Sequence, residues 1–217
     1  MRYLLILLLL FNFGVSKNLT PHLTKGEKRF KKDLAYSIKD FNPHWDMSFL
    51  SVISFITVYH ENRDIKYKDL RPIFKSDNRV YSKKDKKDIV YLANLLKNRK
   101  NYKLRRDEPL GVISYYIVIF IDNKGKMYAL ENFRELKDML GSINNPAKLL
   151  LWLRLKYREY PYSYLYKNGL WRVRIRDWSL GKCYYNEYFK YYNKNGKFIK
   201  KENIRSYHKK GCVDPVI

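Results

Sequence analysis

The chain lacks the short motifs that mark most catalytic and cofactor sites: it contains no HExxH, GxSxG, P-loop, GxGxxG or CxxC pattern. Histidine is scarce. His22, His44, His60 and His208 are scattered through 217 residues, so a metal or acid–base constellation would have to be assembled by the fold. The HWD run at His44 and the HE pair at His60 come nearest to one, and each also reads as surface or helix-end chemistry. Zinc-knuckle, helix-turn-helix and RNP-type patterns are absent too. These absences point away from an enzyme and nominate no catalytic residue, no metal and no cofactor. A hydrolase-like site whose acidic or histidine residues meet only in the fold is the second reading.

Cysteine is nearly absent. Cys183 and Cys212 are the two in the chain, and no lipobox-like cysteine follows the N-terminus. The first sixteen residues, MRYLLILLLLFNFGVS, place Arg2 before an apolar run and the small residues Gly14 and Ser16 at minus three and minus one from a cut after Ser16. That is the pattern of a cleaved export signal. The apolar run from Tyr3 to Phe13 falls short of the roughly 20 residues that span a bilayer. An uncleaved anchor or a buried N-terminal helix is the alternative. In an oxidising compartment Cys183 and Cys212 are expected to form one disulfide, removing unfolded-state entropy worth roughly 3 to 4 kcal/mol. A catalytic thiol would need a base, for which His208 is the candidate beside Cys212.

Negative charge is also in short supply. Against 45 lysines and arginines stand 21 acids, a net charge of +24, and removal of Arg2 with the leader leaves +23. A field of this size attracts polyanions and weakens with salt. Outside the cytoplasm, anionic lipid head groups, lipopolysaccharide, acidic wall polymers and extracellular DNA fit. Enrichment in Lys, Asn, Tyr, Ile and Phe also follows from AT-rich codons, without selection for a ligand.

Several elements are legible in what remains. Residues 25–41 predict a basic amphipathic helix, with Thr24 and Glu27 at capping-box spacing and Phe30, Leu34, Ile38 and Phe41 on one stripe. In residues 46–60, Ser48, Ser51, Ser54 and Thr57 recur every third position opposite Phe49, Val52, Ile53 and Ile56. This predicts a helix, with a strand as the alternative suggested by its β-branched content. A firmer helix is expected over 83–98, capped by Ser82 with Asp85 in its first turn and Ile89, Leu92, Ala93 and Leu96 as its stripe. The basic stretch 97–109 reads as a linker.

Beyond it the pattern changes. GVISYYIVIFI, from Gly111, is apolar at both parities, as in a covered strand. Asp122 to Gly125 is turn chemistry, KMYALE a returning strand, and NFRELKDMLG a helix stopped by Gly141. Asn144 or Asn145 then caps, with Pro146 opening a buried helix through AKLLLWLRLKY. In LWRVRIRDW, Trp171, Val173 and Ile175 alternate with Arg172, Arg174 and Arg176, the period of a strand with one apolar and one basic face. A long strand from Cys183 to Tyr192, a turn at Asn193 to Gly196 and a return through KFIKK complete a meander. The segments Asp122 to Arg134 and Asn193 to Arg205 share Gly-Lys, an apolar residue, then Glu-Asn, an apolar residue and Arg. This is either an internal repeat or one local solution used twice.

The aromatics Tyr184, Tyr185, Tyr188, Phe189, Tyr191 and Tyr192 occupy both faces of their strand, which suits packing better than stacking bases. The arginine ladder Arg172, Arg174 and Arg176, with Lys190, is the anion-binding candidate, its guanidinium groups roughly 6.5 to 7 Å apart along one face; a solvated outer face is the alternative.

The expectation is an α+β protein: residues 1–16 a cleaved signal, 17–105 a mainly helical part, and 106–217 a sheet domain with a helix packed on an antiparallel β-meander and one disulfide. The shape resembles cystatin-like or nuclear-transport-factor-like domains by analogy of architecture alone. The expected role is that of a secreted or periplasmic non-enzymatic protein binding a protein partner or an anionic envelope polymer or lipid. Nucleic acid becomes the alternative partner if the chain is not exported.

Overall fold

Two long strands, more than fifty residues apart in sequence, pair at the centre of one sheet. β2 (Phe49–Val58) and β5 (Val112–Ile121) pair antiparallel over their full length, Phe49 opposite Ile121 and Val58 opposite Val112. In the computed structural model, which describes residues 23–31, 36–58, 63–77, 79–99, 102, 104–108, 112–178 and 184–208, they form the centre of one of two antiparallel sheets. β3 (Arg71–Lys75) flanks β2, while β4 (Arg105–Glu108) and β6 (Met127–Ala129) share the other edge of β5. The chain is α+β.

The helix expected over 46–60 is therefore the strand β2, and the strand alternative holds. Phe49, Leu50, Val52, Ile53 and Phe55 are all buried, so both faces are covered and the period-2 signal disappears. The serines that suggested a helical stripe bond to neighbouring elements: Ser51 Oγ donates to Phe74 O at 2.8 Å and receives the Tyr81 hydroxyl at 2.7 Å. β-Branched residues restrict χ1 and suit this pleated setting.

The helix expected over 25–41 is likewise replaced. Thr24 and Glu27 do bond as a capping pair, but they close a turn with Gly26 at φ 84°. The strand β1 (Lys28–Arg29) follows. Helix survives as the single turn α1 (Ile38–Phe41), capped by Ser37 and Asp40. Phe30 and Phe41 are buried as the stripe predicted; Leu34 lies outside the described residues. Among its described residues the part 17–105 is thus mixed, supplying β1, β2 and β3 beside its helices. The expected boundary at 105 coincides with the first residue of β4, and one hydrophobic cluster runs on either side of it, from Val52 and Ile117 to Trp171 and Tyr192.

Helix α2 (Lys83–Lys97) matches expectation: Ser82 accepts from the Asp85 amide at 3.0 Å, and Ile89, Ala93 and Leu96 are buried. So do α3 (Phe133–Leu140), ended by Gly141, and α4 (Pro146–Trp152), capped by Asn145. Every residue of α4 from Ala147 to Trp152 is buried, and the helix runs on as a π-turn, Leu153–Tyr157. A helix covered all round belongs in the core.

The second sheet has the order β1, β7 (Ser163–Lys167), β8 (Leu170–Trp178), β9 (Tyr184–Asn193), β10 (Phe198–His208). β7 and β8 join through Asn168 and Gly169, both at positive φ, the hairpin turn that the Asn-Gly pair favours. On one face Trp171, Val173, Ile175, Tyr188 and Tyr192 are buried, and all of them share the hydrophobic cluster that holds the α4 leucines. Trp152 Nε1 donates to Gly196 O at 2.9 Å, and the Tyr157 ring lies 5.4 Å from that of Tyr192. The expected helix over the meander is present.

The sequence echo is a shared turn. Asp122 Oδ1 accepts from the amides of Lys124 and Lys126 as Asn193 Oδ1 does from Asn195 and Lys197, and Gly125 and Gly196 sit at φ 82° and 73°. After the turns the copies part: one leads to short β6 and the cap of α3, the other to the long strand β10. Cys183 and Cys212, with the expected disulfide, lie outside the described residues, as do the expected signal over 1–16, His22, His60 and the side chain of His208.

Candidate functional site

The alternation in β8 does put Arg172, Arg174 and Arg176 on one face, but that face is not a row of solvated cations. Arg174 is buried and its Nη2 meets Glu27 Oε2 at 2.9 Å, with both side chains almost wholly enclosed. The same carboxylate takes the Thr24 amide at 2.6 Å, the Thr24 hydroxyl at 2.7 Å and the Ser163 hydroxyl at 3.0 Å. Four donors, Arg174 among them, satisfy the buried Glu27 carboxylate, a condition under which such a charge is tolerated.

Arg176 leans on a second buried acid. Its Nη2 is 3.4 Å from Glu187 Oε1, and Arg205 Nε donates to Glu187 Oε2 at 2.6 Å, while the Tyr162 hydroxyl donates to Glu187 as well. The Glu187 pKa reflects these partners. Burial alone would raise it; the bonds from Tyr162 and Arg205 and the charges of Arg205 and Arg176 more than offset that and hold it below the ordinary value. Burial, then the bond to Glu187, pushes the Tyr162 phenol up.

Lys190 does not belong to the ladder. It faces Val173 across the β8–β9 register, whereas Arg172 faces Tyr191 and Arg174 faces Phe189, so Lys190 projects to the opposite side of the sheet. There it pairs with Glu159, which also receives the Tyr192 hydroxyl. Burial first, then this bond, raises the Tyr192 phenol pKa; burial pushes Tyr188 up to about 12.

Arg172 is the ladder residue that pairs with neither buried acid. Its guanidinium stacks over the Phe189 ring at 4.3 Å and its Nη2 donates to Thr24 Oγ1 at 2.9 Å. Among the described residues it makes no ion pair. It lines a shallow groove of about 390 Å³ with Leu165, Lys167, Asn168, Leu170 and Tyr191. Lys167 is exposed and also without an ion pair among the described residues. Beside them Lys200 lies 4.6 Å from the Tyr191 ring and bonds Glu202 at 2.5 Å. Stacking fixes the plane of the Arg172 fork and leaves edge N–H groups for an oxygen ligand.

Lys167 and Asn168 join the groove without having been nominated by the sequence. The signal that brings them there is the Asn168-Gly169 pair behind the alternating SYLYK, which folds the end of β7 against Arg172. Glu27 carries a local signal only for its turn with Thr24, and Glu187 carries none; each meets its arginine through tertiary structure. His44, the one histidine whose side chain is described, is exposed. Among the described residues no three His, Cys, Asp or Glu side chains converge as metal ligands.

Fold and groove together define an α+β protein of two antiparallel sheets with a basic, aromatic-backed recess at one hairpin. Compared with family models, curated proteins and solved structures, the chain matches none of them.

Proposed function

We propose that the chain is an exported, non-enzymatic binding protein that engages an anionic polymer or surface outside the cytoplasm through the Arg172–Lys167 groove. The observation that carries this reading is the contrast within one strand. Arg174 and Arg176 are committed to the buried Glu27 and Glu187, whereas Arg172, stacked on Phe189 beside Lys167, makes no close ion pair among the described residues and feels Glu202 only through its charge. The net charge, +24 for the full chain and +23 once Arg2 leaves with the leader, supplies the long-range attraction and the groove the local contacts. No helix among the described residues is long and apolar enough to cross a membrane.

Retention on heparin across a salt series tests the groove. Replacing Arg172 and Lys167 by Gln lowers the elution salt and reduces the slope of log affinity against log salt by about 1 to 2; an unchanged slope overturns the assignment. Export and oxidation are tested by the intact mass of the mature protein before and after thiol alkylation. The proposal expects loss of residues 1–16 and no alkylation without reductant. Full-length protein with both thiols free would remove both claims.

A further inference from the structure

Two cations are buried among the described residues, Arg174 at 4% exposure and Lys148 at 5%. Arg174 has Glu27. Lys148 has no carboxylate: its ammonium reaches Ser142 O at 3.4 Å, a weak contact, and forms no ion pair. A second ammonium stands at the same turn. Lys137 Nζ donates to the preceding carbonyl, Gly141 O, and it too has no ion pair.

The local sequence explains why they meet. α3 ends at Gly141, whose amide bonds Lys137 O at 2.8 Å, and α4 starts after Asn145, whose side chain caps the Lys148 amide at 2.9 Å. Lys137 in the last turn of one helix and Lys148 in the first turn of the next therefore point at the short connection between them. Lys137 alone would be an ordinary C-terminal cap. Lys148 is not explained that way, since a cation near a helix start opposes the dipole, and burial of an ammonium beside another ammonium is unfavourable without an anion. Burial lowers the pKa of both amines; for Lys148 the Lys137 charge adds to this, while Asp138 partly offsets it at Lys137. Asn145 is occupied by Phe41 O at 3.1 Å, and His44 packs near Gly141.

We propose that Lys137 and Lys148 form an oxyanion site at the Gly141–Ser142 turn, binding a phosphate group, free or carried on a lipid head group, as the missing counter-charge. The site is separate from the Arg172 groove and stands or falls independently of it.

The test uses the full chain, in phosphate against chloride at matched ionic strength. At about a hundred times its Kd, phosphate is expected to raise the wild-type melting temperature by roughly 5 to 10 °C. Lys148→Met removes the increment, and Lys137→Met removes most of it. In chloride, Lys148→Met is expected to melt no lower than wild type, since it deletes an unpaired buried charge; if it does not fold, the half-buried Lys137→Met carries the comparison. A second arm measures retention on phosphatidic-acid against phosphatidylcholine vesicles. An increment with inorganic phosphate identifies a free anion; vesicle retention without it identifies a head group, provided either is lost in the variants. Equal behaviour of wild type and both variants in the two arms overturns the site, leaving general screening of a basic protein.

Discussion

The two sheets are stabilised by different physics. In the β2–β5 sheet, Phe49, Leu50, Val52, Ile53, Ile117, Val118 and Ile119 are buried at consecutive positions, and Phe55 stacks on Tyr115 at 4.7 Å. Hydrophobic burial carries it on both faces. The β7–β10 sheet has one such face, under α4. Its other face is a lattice of arginines, two buried glutamates and aromatic rings, with Arg176 4.4 Å from the Tyr185 ring and Arg174 5.0 Å from Phe189. A chain with 45 cations and 21 acids thus buries arginines by placing two of its few acids, Glu27 and Glu187, inside. Arg172 and Lys148 form no ion pair in that arrangement.

The sharpest way to break this comparison is to damage each sheet in its own currency. Ile117→Ala, in the middle of β5, should cost about 4 kcal/mol in chemical denaturation by loss of burial and cavity formation. Glu27→Ala should cost about 3 kcal/mol by stranding Arg174, yet Glu27→Leu combined with Arg174→Met should come within about 1 kcal/mol of wild type, because a buried pair is worth little against an apolar one. An unrescued double variant would refute the electrostatic account.

The paired turns offer a finer comparison. Gly125 and Gly196 share their conformation, but an added Cβ at Gly125 meets nothing within 4 Å, whereas at Gly196 it would lie 2.5 Å from Trp152 Nε1. Gly125→Ala should cost about 1 kcal/mol for the positive φ alone, and Gly196→Ala about 3 kcal/mol once displacement of Trp152 is included, read from urea midpoints.

The smallest effect is expected in pH dependence. Glu187 has a folded pKa below its ordinary 4.5, so its stabilisation is fully present above pH 4.5 and is lost as pH falls through the folded value. Unfolding of wild type and Glu187→Gln followed from pH 7 to pH 3 should converge on the acid side. Parallel curves would show that the carboxylate contributes no acid sensitivity.

Much of the helical architecture was legible because its signals are local. Ser82 with Asp85, Asn145 with Pro146, and Gly141 each act within a turn of their own position, and they bound α2, α4 and α3 as expected. β5 and β8 were legible by pattern. β2 was not, since its three-residue serine spacing mimics a helix and only pairing with β3 and β5 makes it a strand. The candidate site was half legible. Alternation placed three arginines on one face, but the partner of Arg174 lies 147 residues away, and Lys190 fell on the wrong side because its cross-strand register with Val173 cannot be read from either strand.

Composition and short-range pattern alone fixed the excess of positive charge, the helix caps, the two Asx turns and the alternation of the arginine strand, since each depends on residues within a few positions of one another. Which arginines are neutralised, that Lys28 and Arg29 form the edge strand β1 beside β7, and that Lys148 is enclosed without a carboxylate were decided by tertiary structure. Charge pairing and burial depend on distance in space, and the chain that brings Glu27 to Arg174 is most of the protein.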